Sequence, residues 1–407
     1  MTSTRTLVER ALEQGEGILR LAPAWVPRDW LVPGNRIKLH PDDRFTYGGD
    51  RGGISERWMS STTQVDNGPS TSPNEGRGYV VFQDGKTTEQ FLLRDAIDEL
   101  KGGLIGDRIW EENGCWPVYS KFFDFQCPLP IHIHHREEHS SLVGEMAKAE
   151  AYYFPAQLNN HLGDFPCAFF GLKPGTTKEQ VRECLLNFEK GDNRITELSV
   201  GYTMELGTGW DTPPGILHAP GSLCTYEPQR ATDDLAVYQS LSGNRFLGRE
   251  LLWRNTPEDR IDDIEFLIEA IDWERTTDPG YADHHFMRPV PVRPIEEMQA
   301  AGYTENWVCY KSKAFSAKEL TVSPGCTVTI RDGAAYGMIM LQGHGTMGVW
   351  SIETPALIRF GQTTCDEFFI SESAAKQGVQ ITNPSMSDPL VMLKHFGPEN
   401  PELEVED

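Results

Sequence analysis

Four of the eleven histidines fall within eight positions, in the stretch Pro128 to His139 that reads PLPIHIHHREEH: His132, His134, His135 and His139. On an extended strand alternate side chains share a face, so His132 and His134 point together while Ile131 and Ile133 point the other way. Two imidazoles placed like that suit two ligands of one metal ion. A working site also needs a third and a fourth donor from elsewhere, usually His or a carboxylate, with one position left open. The chain offers two nearby carboxylates, Glu138 in the charged run HHREEH and Glu150 at the head of EAYYF, and one distant imidazole, His218 in TPPGILHAPGS. Glu150 opens an aromatic strand, where a buried carboxylate is costly unless it is paired or bound to a metal. His218 sits between a Pro-Pro-Gly and a Pro-Gly turn, a rigid rim fit to hold a ligand. The other histidines read as bystanders: His344 as a turn residue between glycines, His395 on the last strand, and His284 with His285 pointing apart on an extended linker.

The elements that must position these groups are mostly strands. Short β-branched or aromatic runs, among them GYVVFQ, PVYSKFFDF, EAYYFP, LAVYQSL, CTVTIRD, YGMIMLQGHG and PLVMLKHF, are broken by Gly, Pro and Asn. So many short strands predict a mainly β fold of sandwich or jelly-roll type. Helical periodicity is confined to residues 5–21, 88–103, 176–192 and 257–273, with Thr176 as an N-cap and Glu179 closing a capping box, so the helices are peripheral. Residues 274–300 carry Pro279, Pro289, Pro291 and Pro294 and read as a linker between an N-terminal unit, 1–273, and a C-terminal β unit, 301–407, whose acidic tail is frayed.

The chain has 407 residues, and 37 basic against 60 acidic side chains give a net charge of -23, which argues against nucleic acid as a partner. No apolar run approaches the roughly 20 residues of a spanning helix, and the N-terminus alternates charge with Leu, so no membrane partner is expected and the location reads as cytoplasmic. The eight cysteines are scattered without a CxxC pair and read as reduced thiols. No pattern specifies an oligomeric state.

Taken together, WPVYSKFFDFQCPLPIHIHHREEH, AKAEAYYF and PPGILHAPGSLCTYEPQ resemble type I phosphomannose isomerase, a metal-dependent enzyme of the cupin superfamily. The likeness runs over about residues 45–240 in order: Glu56 and Trp58, Lys121, His132 and His134, Lys148 and Glu150, His218, then Glu227 with Gln229. It implies two cupin (jelly-roll) barrels with peripheral helices, the first one catalytic. It also implies one divalent metal, zinc first and manganese or iron as alternatives, held by His132, His134, Glu150 and His218. Glu150 is thereby preferred to Glu138. The implied activity is aldose–ketose isomerisation of mannose 6-phosphate and fructose 6-phosphate or a related sugar. Lys148, Lys121 and Glu227 are the candidates for proton transfer, and Arg230, Arg57 and Trp58 for contacts with the sugar or sugar phosphate.

Three departures bear on that expectation. His132 stands where the family has Gln and His135 where it has Pro, an additional imidazole that suits transition metals. Ala236 stands where the family carries an Arg, the residue expected to hold a phosphate or steady an enediolate. Two further readings stand beside it: an iron or manganese cupin dioxygenase, which three histidines and a glutamate also suit, and a non-catalytic sugar-binding or regulatory cupin, which Ala236 makes plausible.

Overall fold

The computed structural model describes residues 3–160 and 166–405. The protein is mainly β, and its sheets pair antiparallel. Two sheets carry the candidate site. A seven-stranded sheet runs in the order Phe286–Met287, Gly209–Thr212, Glu150–Tyr153, Thr225–Arg230, Val118–Phe123, Gly53–Met59 and Ala24–Arg28. A five-stranded sheet orders Ser199–Thr203, Cys167–Leu172, His218–Ala219, His132–Ile133 and Ala236–Val237.

The period-two alternation of each strand decides which face meets which core. Phe123 and Tyr152 of the first sheet meet Phe170 and Ile216 in an aromatic cluster. Val118, Phe122, Ala151, Tyr153 and Tyr226 take the opposite face and share another core with Val308, Phe315, Ala317, Ile339 and Leu393 from the C-terminal strands. In the five-stranded sheet Ile131 and Ile133 pack with Leu185, Phe266 and Ile268, contributed by peripheral helices, which turns His132 and His134 inward.

The C-terminal half is built on a nine-stranded sheet, in which Ile18–Ala22 is hydrogen-bonded between Glu367–Ile370 and Tyr79–Asp84, and on a four-stranded sheet, Thr327–Ile330, Val379–Thr382, His344–Met347 and Trp350–Glu353. Residues 274–300 are not an extended tether. Phe286–Met287 pairs with Gly209–Thr212, and Val290–Pro291 pairs with Tyr303–Cys309, so the segment contributes an edge strand to a sheet on either side.

Several local expectations need correction. The first helix stops at Gln14, because Gly15 and Gly17 end it and Ile18–Ala22 continues as a strand. Helical residues begin only at Leu93 in the second segment, after the strand Thr87–Leu92. In the third the N-cap is Thr177 with Gln180 completing the box, one residue beyond the expected pair. The fourth is cut to Ile264–Glu269. His344 opens a strand, and His284 and His285 end a short helix, Tyr281–His285, where they meet Asp278 and Asp211. The tail is tied down as far as Leu403, which packs on the C-terminal core, and Glu402 pairs with buried Lys318 at 2.6 Å. All eight cysteines are free thiols.

Candidate metal centre

Register brings the donors together. His218 and His132 are directly paired across adjacent strands, and their ring centroids lie 4.1 Å apart. Glu150 comes from the facing sheet, where it is paired with Thr212 on one side and Gln229 on the other. His132, His134, Glu150 and His218 are all between 1% and 3% exposed, and one ligand atom from each lies within 4.8 Å of all the others.

The imidazole orientations are fixed from behind. Nδ1 of His132 donates to the Pro130 carbonyl at 2.8 Å, Nδ1 of His134 to Asp234 at 2.6 Å, and Nδ1 of His218 to Ile216 at 2.8 Å. A carbonyl only accepts, so each Nδ1 carries the proton and each Nε2 presents a lone pair to the others. Burial holds His132 well below its usual pKa and lowers His134 to about 4, against the pull of Glu150, so both rings are neutral. His134 Nε2 and His218 Nε2 lie 2.9 and 3.0 Å from the two Glu150 oxygens, and His218 Nε2 has no hydrogen-bond partner. Three imidazoles and one carboxylate, converging while buried and leaving a ring nitrogen unmatched, fit a divalent cation of the zinc, manganese or iron type.

A chain of charged groups adjoins the donors. Lys148 Nζ lies 2.7 Å from Glu150 and 3.4 Å from Glu227, whose Oε1 is 3.0 Å from Lys121 Nζ. Lys121 and Glu227 are paired across adjacent strands, which places both on the same face. Burial and the neighbouring Glu150 push the Glu227 carboxyl up to about 8 in spite of the two lysines. Burial disfavours the Lys148 ammonium, but Glu150 and Glu227 outweigh it and hold its pKa above the ordinary value. Glu150 is held well below the carboxylate range: burial opposes its charge, and the adjacent Lys148 ammonium outweighs that burial. Tyr152 also donates its hydroxyl to Glu150.

The cleft that these groups line is also lined by Arg28, Glu56 and Asp233. Arg28 Nε donates to Glu56 at 2.9 Å, and its Nη2 pairs with Asp233 at 3.1 Å. Neither Arg28 nor Asp233 carries a local signal in the sequence. Arg28 reaches the site because its strand pairs with Gly53–Met59, and Asp233 because it lies in the loop before Ala236–Val237.

Other candidates fall outside the cleft. Arg57 alternates with Glu56 and so points to the opposite face, where Asp366 holds it at 2.8 and 2.9 Å and Glu367 at 3.0 Å. Trp58 is fully buried, stacked on Tyr119 at 4.6 Å, and its indole N–H donates to Glu56 at 2.8 Å; it steadies Glu56 and does not line the cleft. Arg230 ends its strand half-buried and is not among the residues lining the cleft. Glu138 is exposed and paired with Arg136 at 2.9 Å. His135 and His139 are buried beside Phe266, behind the donor strand.

No sequence profile of a protein family matches the chain, and no curated protein gives a significant sequence match. Solved structures do match. Mannose 6-phosphate isomerase from Bacillus subtilis shares 15% identity over 93% of this chain and 99% of its own, with a TM-score of 0.60. A single-residue mutant of phosphomannose isomerase from Salmonella typhimurium gives 11% identity, 94% and 100% coverage and a TM-score of 0.63. A zinc-bound mannose 6-phosphate isomerase gives 12%, 94%, 100% and 0.61. At such identities the likeness establishes the fold: the chain has the cupin architecture found in phosphomannose isomerases.

Proposed function

We propose that the protein is a metal-dependent aldose–ketose isomerase acting on a small sugar. The observation that carries this reading is the convergence of His132, His134, Glu150 and His218 with the Lys148–Glu227–Lys121 chain on one buried cleft. The similarity in fold to mannose 6-phosphate isomerases supports it. The four donors would hold one divalent ion, zinc being the first candidate and manganese or iron the alternatives. Bound there, such an ion supplies a Lewis acid for the oxygens of the sugar.

The rest falls to the chain's own side chains. The reaction removes a proton from carbon 2 of the aldose, leaves the electron pair in the C1–C2 double bond of an enediolate with the charge on O1, moves the hydroxyl proton of O2 to O1, and returns a proton to carbon 1 while the carbonyl forms at carbon 2. Glu227 is assigned that proton, because a carboxyl group with a pKa near neutrality both accepts and releases it. Lys121 and Lys148 flank Glu227 Oε1 at 3.0 and 3.4 Å and would counter the negative charge that develops on oxygen. Glu56, fixed by Arg28 and Trp58, would accept hydroxyl hydrogens of the sugar and set its orientation.

Chelator-stripped protein should convert no aldose to ketose, and adding back Zn2+ or Mn2+ should restore conversion without dioxygen. Turnover that requires dioxygen would point to a dioxygenase instead. Sugar binding with no conversion under any divalent metal would point to a binding protein.

A further inference from the structure

Resting on the isomerase reading, we infer that the cleft is built for an unphosphorylated sugar and rejects the sugar phosphate. Phosphate recognition relies on cations or backbone N–H groups free to contact it. Each of the three cations lining this cleft is already matched. Arg28 faces Glu56 and Asp233, Lys121 faces Glu227, and Lys148 lies between Glu150 and Glu227. With Asp234, which accepts from the His135 backbone at 2.6 Å, the lining carboxylates outnumber the cations by two. One divalent ion would balance that excess, or exceed it by a single charge when Glu227 holds its proton, and so leave at most one positive charge for the two further negative charges of a phosphate monoester.

Ala236, which stands where an Arg would be expected, is fully buried, paired with Ile133 and packed with it in the helix-covered core, so that position adds no cation to the cleft. Outside the cleft the lining carboxylates again outnumber the cations. Trp30 lines both the cleft and an open basin of about 390 Å³ beside it. The basin carries Asp29, Asp66 and Glu250, and its Arg254 is committed to Asp66 at 3.2 Å and Asp233 at 3.4 Å. Arg245 is exposed there and reaches the Asp29 carbonyl at 3.4 Å. A chain charge of -23 adds long-range repulsion of a dianion. Carboxylates that accept hydroxyl hydrogens, with an indole at the mouth to cover a C–H face, are instead the equipment for a neutral polyol.

The test uses the full chain loaded with Zn2+ or Mn2+. It compares kcat/KM for mannose and mannose 6-phosphate, and calorimetric binding of a hexitol and its phosphate ester. The neutral compound should be favoured by about 100-fold or more in both, the effect of several kcal/mol of like-charge repulsion. Asp233→Asn, which releases one of the two partners of Arg28, should shrink the preference by about tenfold. A phosphate ester bound or turned over as well as its neutral counterpart would overturn the inference, and loss of that behaviour in Arg245→Ala would then locate the phosphate in the basin. Failure to bind either hexitol compound would overturn it too. Preferential binding of the neutral hexitol with no turnover of either sugar would uphold the preference and bring down the isomerase reading.

Discussion

His134 and Lys148 touch each other, at 3.2 Å between Nε2 and Nζ, yet they are assigned different work. Substituting them separates metal retention from turnover. His134→Ala should leave protein purified without chelator nearly free of metal by elemental analysis, because the remaining donors lose one of three imidazoles. Glu227→Gln and Lys148→Ala should each keep about one metal per chain and lower kcat by roughly 10²- to 10⁴-fold, the range for losing a proton-transfer group in the first and a group that stabilises charge on oxygen in the second. Full metal in the His134 variant would remove it from the donor set. At this scale the sequence was informative where a residue's neighbours in the chain mark its surroundings. The alternation Ile131-His132-Ile133-His134 announces two imidazoles on one face, and the Glu150 carboxylate stands out against EAYYF. It was uninformative for Arg28 and Asp233, whose role exists only across 205 positions of chain. For Arg57 the choice of face was available from its alternation with Glu56, but nothing local showed that Asp366 and Glu367 wait on the other side.

Elements place these side chains through register, and one element ties the two halves behind the site. The strand Leu390–Phe396 carries His395, whose Nδ1 lies 2.9 Å from Ser120 Oγ, next to Lys121. Burial lowers the His395 pKa to about 3, so the folded protein keeps it neutral where an unfolded chain protonates it near pH 6.5. The sign follows: this group's contribution to stability is complete above pH 6.5 and is lost as pH falls toward 3, at about 1.4 kcal/mol per pH unit. Urea denaturation of wild type and His395→Asn between pH 7 and pH 4 should show a shallower loss in the variant; parallel curves would exclude His395 as a source. Helix ends were the least legible feature among the elements. Amphipathic periodicity continued through Gly15 and Gly17 because Ile18, Leu19 and Leu21 satisfy a helical stripe as well as a strand, and only pairing with Glu367–Ile370 decides for the strand.

Over the whole molecule the N-terminal and C-terminal halves share strands, a core and a buried ion cluster. Their joint core places Phe122 and Tyr226 against Phe315 and Ile339, directly behind the face that bears Lys121 and Glu227. Arg57 is the polar part of the same contact. Removing it strands two buried carboxylates, so Arg57→Ala should lose roughly 3–5 kcal/mol of stability in denaturant titrations, while kcat/KM per folded molecule stays at the wild-type value. A selective rise in KM with unchanged stability would return Arg57 to the substrate. None of this long-range pairing was visible in composition or motif, whereas the mainly β class was, because many short runs bounded by Gly and Pro leave few other ways to bury their apolar faces. The claim that joins all three scales is a metal-dependent proton transfer in the cleft. It is tested most directly by incubating metal-free and metal-restored protein with a free aldose in D2O, without dioxygen, and following the sugar by NMR. The account predicts ketose only in the metal-restored sample, with solvent deuterium appearing at the carbon beside the carbonyl. Ketose formed equally by metal-free protein, or no ketose with any divalent ion, would contradict it.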